Sequence, residues 1–373
     1  MRRENLLTRR EMIAITLGTL AGGCRTTPSV DAAMERAGEE ARKQMEAGIF
    51  TGAALARSDR GRALYMGWQG KGPETGAVDE RTRFDAASLT KTVTAAVLAR
   101  LVEKGKLDPD APFVTYLPDH AVGKDSPITI RQIATHSAGF GHAIAPAKPA
   151  DPTRCLSDTP YVERLLAQKP FREPGKCLYS CYNFQLLALV AERVGEGPLD
   201  QLAKKLLFKP LGMKRSAWWP VPDDGHVMHP EVMPPENFVV RKIGCVSDPP
   251  AYHADRPVGN AGLFTTLPDL RRFTADLLRR EHFSSVYYDL LFTCTFDHDG
   301  YRRSFGFDMG TGGRPDGLSE QTIHHSGYTG QMLCVDPVTD FAAVLLTVRS
   351  GSTGDSFRGR KRILSLLAGG GQS

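Results

Sequence analysis

The stretch Phe84-Asp85-Ala86-Ala87-Ser88-Leu89-Thr90-Lys91, with the apolar run behind it, constrains this chain more than any other segment. Val93, Val97, Leu98 and Leu101 recur at helical spacing, so a helix starts near Ser88. Positions i and i+3 share a helix face, which brings the Lys91 amine within reach of the Ser88 hydroxyl. A helix start also offers unpaired N–H groups and a positive dipole end. A serine there can lose its proton to a neighbouring base and lend its own N–H to an oxyanion. The Ser-x-x-Lys spacing is that of a nucleophile with a base beside it. The plain alternative is Ser88 as an N-cap and Lys91 as a solvated charge.

A chain of 373 residues has material for one large domain or two interleaved lobes. The formal charge of +5 includes Arg2, Arg3, Arg9 and Arg10 against Glu4 and Glu11 at the N-terminus. The remainder is too mildly basic to argue for nucleic acid or an anionic surface. No window approaches a spanning run of about 20 apolar residues.

Thr8-Arg9-Arg10-Glu11-Met12-Ile13 has the form of a twin-arginine export motif. A short apolar run follows, and then Ala21-Gly22-Gly23-Cys24, small residues that suit a cleavage site. Cys24 is a candidate lipid acceptor, although Leu20 lies one position further from it than such a signal usually has. Residues 1–30 are therefore read as export signal and tether, and 31–369 as the folded unit. An exported chain could oxidise some of Cys155, Cys177, Cys181, Cys245, Cys294 and Cys334. Cys294 and Cys334 read better as free thiols in the interior. No C-x-x-C pair occurs, and no metal site is expected.

Asp31 to Gly48 reads as a helix and Gly52–Arg57 with Arg62–Trp68 as a strand–turn–strand unit. The Ser88 helix ends near Gly105. Ile128 to Gly139 enters as a strand and turns helical before a Ser/Gly loop bracketed by His136 and His142, with His136 tying the loop backbone together. Residues 140–160 look irregular, and Tyr161–Gln168 helical. Further helices are expected at Gln185–Val194, 199–208, 268–280 and 358–368. Residues 214–258 read as proline-rich loop, with Gly259-Asn260-Ala261-Gly262 a tight turn. Strands are expected around Phe305–Met309, Gln331–Val335 and Phe341–Val348. His226 and His229 are spaced like ligands but show no carboxylate partner. Asp85 and Asp248 read as turn or capping residues.

Three windows then fall into order: Ser88-Leu89-Thr90-Lys91, Tyr179-Ser180-Cys181 after Pro174-Gly175, and His324-His325-Ser326-Gly327-Tyr328-Thr329-Gly330. Together they resemble the serine β-lactamase and penicillin-binding-protein superfamily. The likeness is to its branch of class C β-lactamases, D-Ala-D-Ala carboxypeptidases, D-aminopeptidases and family VIII esterases. It covers roughly residues 35–365. The resemblance implies an α/β (α+β) fold of β-lactamase/transpeptidase type. An antiparallel sheet is flanked by N- and C-terminal helices, and a helical lobe spans about 100–260.

The resemblance also implies roles. Ser88 is the acylated nucleophile. Lys91, partly desolvated, is expected to have a lowered pKa and to take the serine proton. Tyr179 moves a proton to the leaving group or activates the deacylating water. His325 stands where the third motif carries lysine or histidine, followed by Ser326 and by Gly327, whose bare backbone admits substrate. The N–H groups of Ser88 and Tyr328 form the oxyanion hole. His324 points away from His325 and is structural. Cys181 replaces the asparagine that holds the acyl amide of a substrate, and His325 is no permanent cation near neutral pH. Both departures lean toward an exported esterase or peptidase acting on a small-molecule or peptide substrate, without cofactor. A β-lactamase or D,D-carboxypeptidase proper is the alternative. A non-catalytic sensing module is a third reading, opposed by the retention of both Ser88 and Lys91.

Overall fold

The structure is a computed structural model that describes residues 28–59, 62–70, 77–142, 161–222, 224–228, 246–254, 256–349 and 356–369. The export segment with Cys24, the residues Cys155, His229 and Cys245, and most of the 140–160 loop lie outside the described residues.

Eleven strands are present among the described residues: β1 (Phe50–Asp59), β2 (Arg62–Gly70), β3 (Phe84–Asp85), β4 (Ala217–Trp218), β5 (Leu263–Thr265), β6 (Phe296–His298), β7 (Tyr301–Ser304), β8 (Phe307–Asp308), β9 (Ile323–Ser326), β10 (Met332–Asp336) and β11 (Phe341–Arg349). Eight form one sheet in the order β2-β1-β11-β10-β9-β8-β7-β6, and every pair is antiparallel. The helices are α1 (Pro28–Glu46), α2 (Thr90–Glu103), α3 (Ile130–Ala134), α4 (Tyr161–Leu166), α5 (Cys181–Gly195), α6 (Leu199–Ala203), α7 (Lys209–Leu211), α8 (Pro249–His253), α9 (Leu267–Arg279), α10 (Ser285–Phe292) and α11 (Ser356–Leu367).

The sheet is buried on both faces, and β11 shows how one strand serves two cores. Phe341, Ala343 and Leu345 join Met34, Ala37, Ile363 and Leu364 of α1 and α11. Ala342, Val344 and Leu346 join the larger core with Val93, Val97 and Leu187 of α2 and α5. A period of two sorts the side chains between the layers. Terminal helices therefore cover one face, as the resemblance implies, and the interior helices cover the other.

Several elements differ from the sequence reading. Helix α5 begins at Cys181 rather than Gln185, because Ser180 caps it and accepts from Asn183 N–H at 3.4 Å. Ile128 to Gly139 forms no strand of the sheet; its extended entry makes only an isolated bridge, Pro112 to Thr129. Helix α10 and strands β6 and β7 fill the stretch between the helix expected at 268–280 and the strand expected around Phe305–Met309, which is instead a turn at Phe305-Gly306, with Gly306 at φ +87°, leading into β8.

Candidate active site

Ser88 lies in one 3₁₀ turn, Ala87–Leu89, between β3 and α2. The N-cap alternative fails, since Leu89 is the N-cap of α2 and no side chain caps that end. Thr90 Oγ1 donates to Ala87 O at 2.7 Å. Threonine thus closes the turn, and the Ser88 hydroxyl is left to accept from Lys91 Nζ at 2.9 Å. Ala87, just before the serine, has φ +45°, a conformation that a residue with a β-carbon adopts only under constraint. The constraint is Asp85. Its Oδ1 accepts Ala87 N–H at 2.9 Å, and its Oδ2 accepts Ser247 N–H and Oγ at 2.7 and 2.6 Å. Burial pushes the Asp85 carboxyl up despite these donors. Asp248 caps α8, accepting Ala251 N–H at 2.9 Å.

Lys91 is fully buried (0 % exposed) and reaches three acceptors: Ser88 Oγ, Asn260 O at 3.0 Å and Cys181 Sγ at 3.5 Å. Three acceptors suit the three N–H bonds of an ammonium. Burial alone would push this group down. The closeness of the acidic groups of Tyr179 and Cys181 outweighs it and holds Lys91 above the usual lysine range. The expected lowering of Lys91 is thus corrected. Desolvation was counted, and the acidic neighbours that accompany it were not.

Tyr179 is half-buried, and its ring lies 5.1 Å from Lys91 Nζ, 4.6 Å from the His136 ring and 6.2 Å from the His325 ring. His325 is 4 % exposed on β9, with Nδ1 donating to Ser326 O at 3.0 Å. Burial, then the positive charges of Lys91 and Arg303, push it well below the usual histidine range. It is a neutral ring at neutral pH. His324 turns to the other side, 3.0 Å from Gly310 O and 4.0 Å from Asp308. Ser326 is half-buried at the end of β9, and Tyr328 stands 58 % exposed beyond it. A Cβ at Gly327 would lie 2.7 Å from Gln331 Oε1 and 3.1 Å from Ala86 O. The glycine is therefore needed for the chain's own packing against the serine turn.

Five of the expected residues, Ser88, Lys91, Tyr179, Cys181 and His325, thus come together where the sheet meets the interior helices. The sequence reading missed Arg303. Its guanidinium is buried, 5.8 Å from the Tyr179 ring centroid, with Asp308 at 3.5 Å. Alternation along β7 was the available signal, since Arg302 pairs outward with Asp297. It also missed Gln331, which donates to Asp85 O at 2.6 Å and Thr347 O at 2.9 Å, and Arg360, which donates to Gly327 O at 2.6 Å. His226 does have an acidic neighbour, Asp79 at 3.7 Å, contrary to expectation. Among the described residues no cluster of three or more His, Cys, Asp or Glu could hold a metal ion, and no helix is long and apolar enough to cross a membrane. Cys177, Cys181, Cys294 and Cys334 are free thiols.

Comparison with known proteins bears on this geometry. The protein named "Putative D-alanyl-D-alanine carboxypeptidase" of Escherichia coli K12 is 26 % identical over 312 residues, covering 71 % of this chain and 69 % of that protein. Its namesake from Salmonella typhi is 27 % identical over 316 residues, covering 73 % and 70 %. Among solved structures, EstCE1, a hydrolase with promiscuous acyltransferase activity, superposes with TM-score 0.74 at 21 % identity, covering 92 % of this chain and all of that one. The octameric penicillin-binding protein homologue from Pyrococcus abyssi gives 0.71 at 19 % identity, covering 90 % and 77 %. A β-lactamase from Mycobacterium bovis gives 0.58 at 20 % identity, covering 88 % and 97 %. The solved structures establish the shared fold. The family model described as Beta-lactamase matches residues 39–368, nearly the whole folded unit, and the chain belongs to the β-lactamase family as one of its serine hydrolases.

Proposed function

We propose that this hydrolase cleaves an ester, amide or peptide bond through an acyl-enzyme on Ser88, with small esters favoured over penicillins. The observation that carries the reading is the 2.9 Å contact between Ser88 Oγ and a fully buried Lys91 whose other neighbours are Tyr179 and Cys181. Lys91 and Tyr179 work as one acid–base unit. Its active form holds one proton fewer than ammonium plus phenol. Ser88 gives its proton to that pair as Oγ attacks the carbonyl carbon. The pair then returns the proton to the leaving group, later takes one from the deacylating water as that water attacks the acyl carbon, and passes it to Ser88 Oγ as the acyl–oxygen bond breaks. The N–H groups of Ser88 and Tyr328 are the oxyanion donors in this scheme. It is supported by the packing of Gly327 against Ala86, which joins the two segments.

Cys181 offers no amide to a penicillin side chain, and His325 is neutral, so two ordinary holds on that substrate class are absent. Arg303 keeps a second reading alive. It is a permanent cation beside Tyr179, and a carboxylate-bearing D-alanyl peptide would gain from it. The unit doing this chemistry is residues 31–369, with the helical lobe at about 100–260. The twin-arginine motif and Cys24 support export with a lipid anchor, and fractionation of cells expressing the full chain tests that.

Side-by-side labelling with a fluorescent phosphonate and a fluorescent penicillin tests the reaction. Phosphonate labelling of Ser88 with little penicillin labelling is expected. Folded protein that takes up neither probe would sink the hydrolase scheme, and efficient labelling by both would favour the penicillin-directed alternative.

A further inference from the structure

We infer that His136 is the positioning residue for Tyr179, acting through an unprotonated Nδ1 that holds the Tyr179–Cys181 segment in place. This rests on the catalytic reading of Tyr179 given above. His136 follows α3 with φ +60°, and its N–H reaches back to Ile133 O at 3.1 Å. Its carbonyl accepts Leu178 N–H at 2.8 Å, and its Nδ1 accepts Ser180 N–H at 3.2 Å. These contacts bracket Tyr179 on both sides along the chain. Between them the two rings lie 4.6 Å apart, and the Phe184 ring sits 5.4 Å from His136 on another side. Asn183 Nδ2 approaches the same Nδ1 at 3.2 Å, at the first turn of α5.

The tautomer follows from the donors. A backbone N–H cannot accept, so Nδ1 must carry the lone pair and Nε2 the hydrogen. Protonation at Nδ1 would set a third hydrogen against Ser180 N–H and Asn183 Nδ2. It would also add a cation to a pocket already faced by Lys91, Arg303, His325 and His142, with Tyr179 as the acidic neighbour. Burial, then Arg303 and Lys91, push His136 well below the usual histidine range. The ring therefore stays a neutral acceptor through the pH range in which an exposed histidine titrates.

Three substitutions separate this from ordinary packing. His136→Asn places an acceptor oxygen where Nδ1 was, in a residue that tolerates a left-handed backbone. His136→Gln places its oxygen one bond too far, and His136→Phe keeps the ring and loses the acceptor. The readout is the rate of phosphonate labelling on the full chain between about pH 6 and 9, with melting to confirm folding. His136→Asn should keep most of the wild-type rate. His136→Phe and His136→Gln should fall on the order of 10- to 100-fold, the size of effect expected when a reacting group is misplaced. In a Tyr179→Phe background, His136→Phe should cost almost nothing further.

A phenylalanine variant faster than the asparagine one would overturn the inference, as would an undiminished loss in the Tyr179→Phe background. Nitrogen-15 NMR of the imidazole gives an arm independent of activity and of the variants' folding. An unprotonated Nδ1 at neutral pH is expected, and a protonated one overturns the inference. If Tyr179→Phe itself leaves labelling intact, the catalytic reading of Tyr179 falls first and this inference with it.

Discussion

The two walls of the candidate site are built differently. The serine wall is braced from the sheet by side chains that bond to backbone. Asp85 holds the strained Ala87, Gln331 ties Asp85 O to Thr347 O, and Arg360 of the C-terminal helix fixes Gly327 O. The tyrosine wall is an extended segment hung on a loop. His136 holds it on one side, and Cys181 and Tyr182 N–H groups reach His142 O at 2.6 and 3.1 Å. In the proposed scheme the first wall needs one fixed geometry, because a nucleophile and its oxyanion donors must agree to within fractions of an ångström. The second wall carries one of the two departures from the family pattern, Cys181, and the other, His325, stands on β9 of the sheet. In the proposed scheme the nucleophile and its base sit on the braced side, while the suspended side brings Tyr179 to that base and presents Cys181.

The largest test removes the braced side's chemistry. Ser88→Ala should lower hydrolysis by more than about a thousandfold while leaving the melting transition in place, since Ser88 Oγ has one partner and caps no helix. Residual turnover above about a thousandth of wild type would mean that the nucleophile lies elsewhere and that the walls have been assigned the wrong way round.

A smaller effect should follow on the suspended side. Cys181→Asn restores an amide at the first position of α5, beside Lys91 Nζ. Labelling by a fluorescent penicillin should rise on the order of tenfold, about one good hydrogen bond's worth, with ester turnover changed by less than about threefold. A collapse of ester turnover would show that Cys181 itself takes part in the chemistry as well as in selection.

The same division governs what was legible in the sequence. Ser88 and Lys91 could be read because helical spacing alone brings them together. Strand β11 could be read because its alternation feeds two cores, Phe341, Ala343 and Leu345 to one and Ala342, Val344 and Leu346 to the other. The start of α5 was hidden by Tyr182, Asn183 and Phe184, which look like a loop until Ser180 is seen to cap them. Arg303 was hidden because Tyr301-Arg302-Arg303 reads as a solvated strand, and only its pairing with β8 turns one arginine inward. Asn260 meets Lys91 through a carbonyl, which no side-chain pattern reveals. The charge state of Lys91 was misjudged because it depends on residues 88 and 90 positions away in sequence, whose proximity is a property of the fold.

The smallest effect compares the walls through pH. His325 on the braced side and His136 on the suspended side are both held below the usual histidine range by burial, as are His324 behind the sheet and His120, which burial pushes to about 4. In the unfolded chain these groups titrate near the ordinary histidine value of 6.5. Below that pH the unfolded state binds more protons than the folded one, so stability must fall as pH falls, from about 6.5 toward 4. Asp85 has the opposite sign. Its folded pKa is raised above 3.8, so its contribution to stability grows as pH falls through its window. Four histidines against one carboxyl leave the net slope with the histidines. The carboxylates held low, such as Asp110 and Asp336, act only below the usual carboxylate value and do not enter this window. The melting temperature should drop by a few degrees between pH 7 and pH 5. His120→Asn, which meets the suspended wall only behind it at the Tyr182 hydroxyl, 2.8 Å away, should remove part of that slope with little change in the pH profile of phosphonate labelling. His136→Asn should remove a similar part. A flat melting temperature from pH 7 to 5 would mean that these rings are solvated in the folded chain, and that neither wall encloses its histidine.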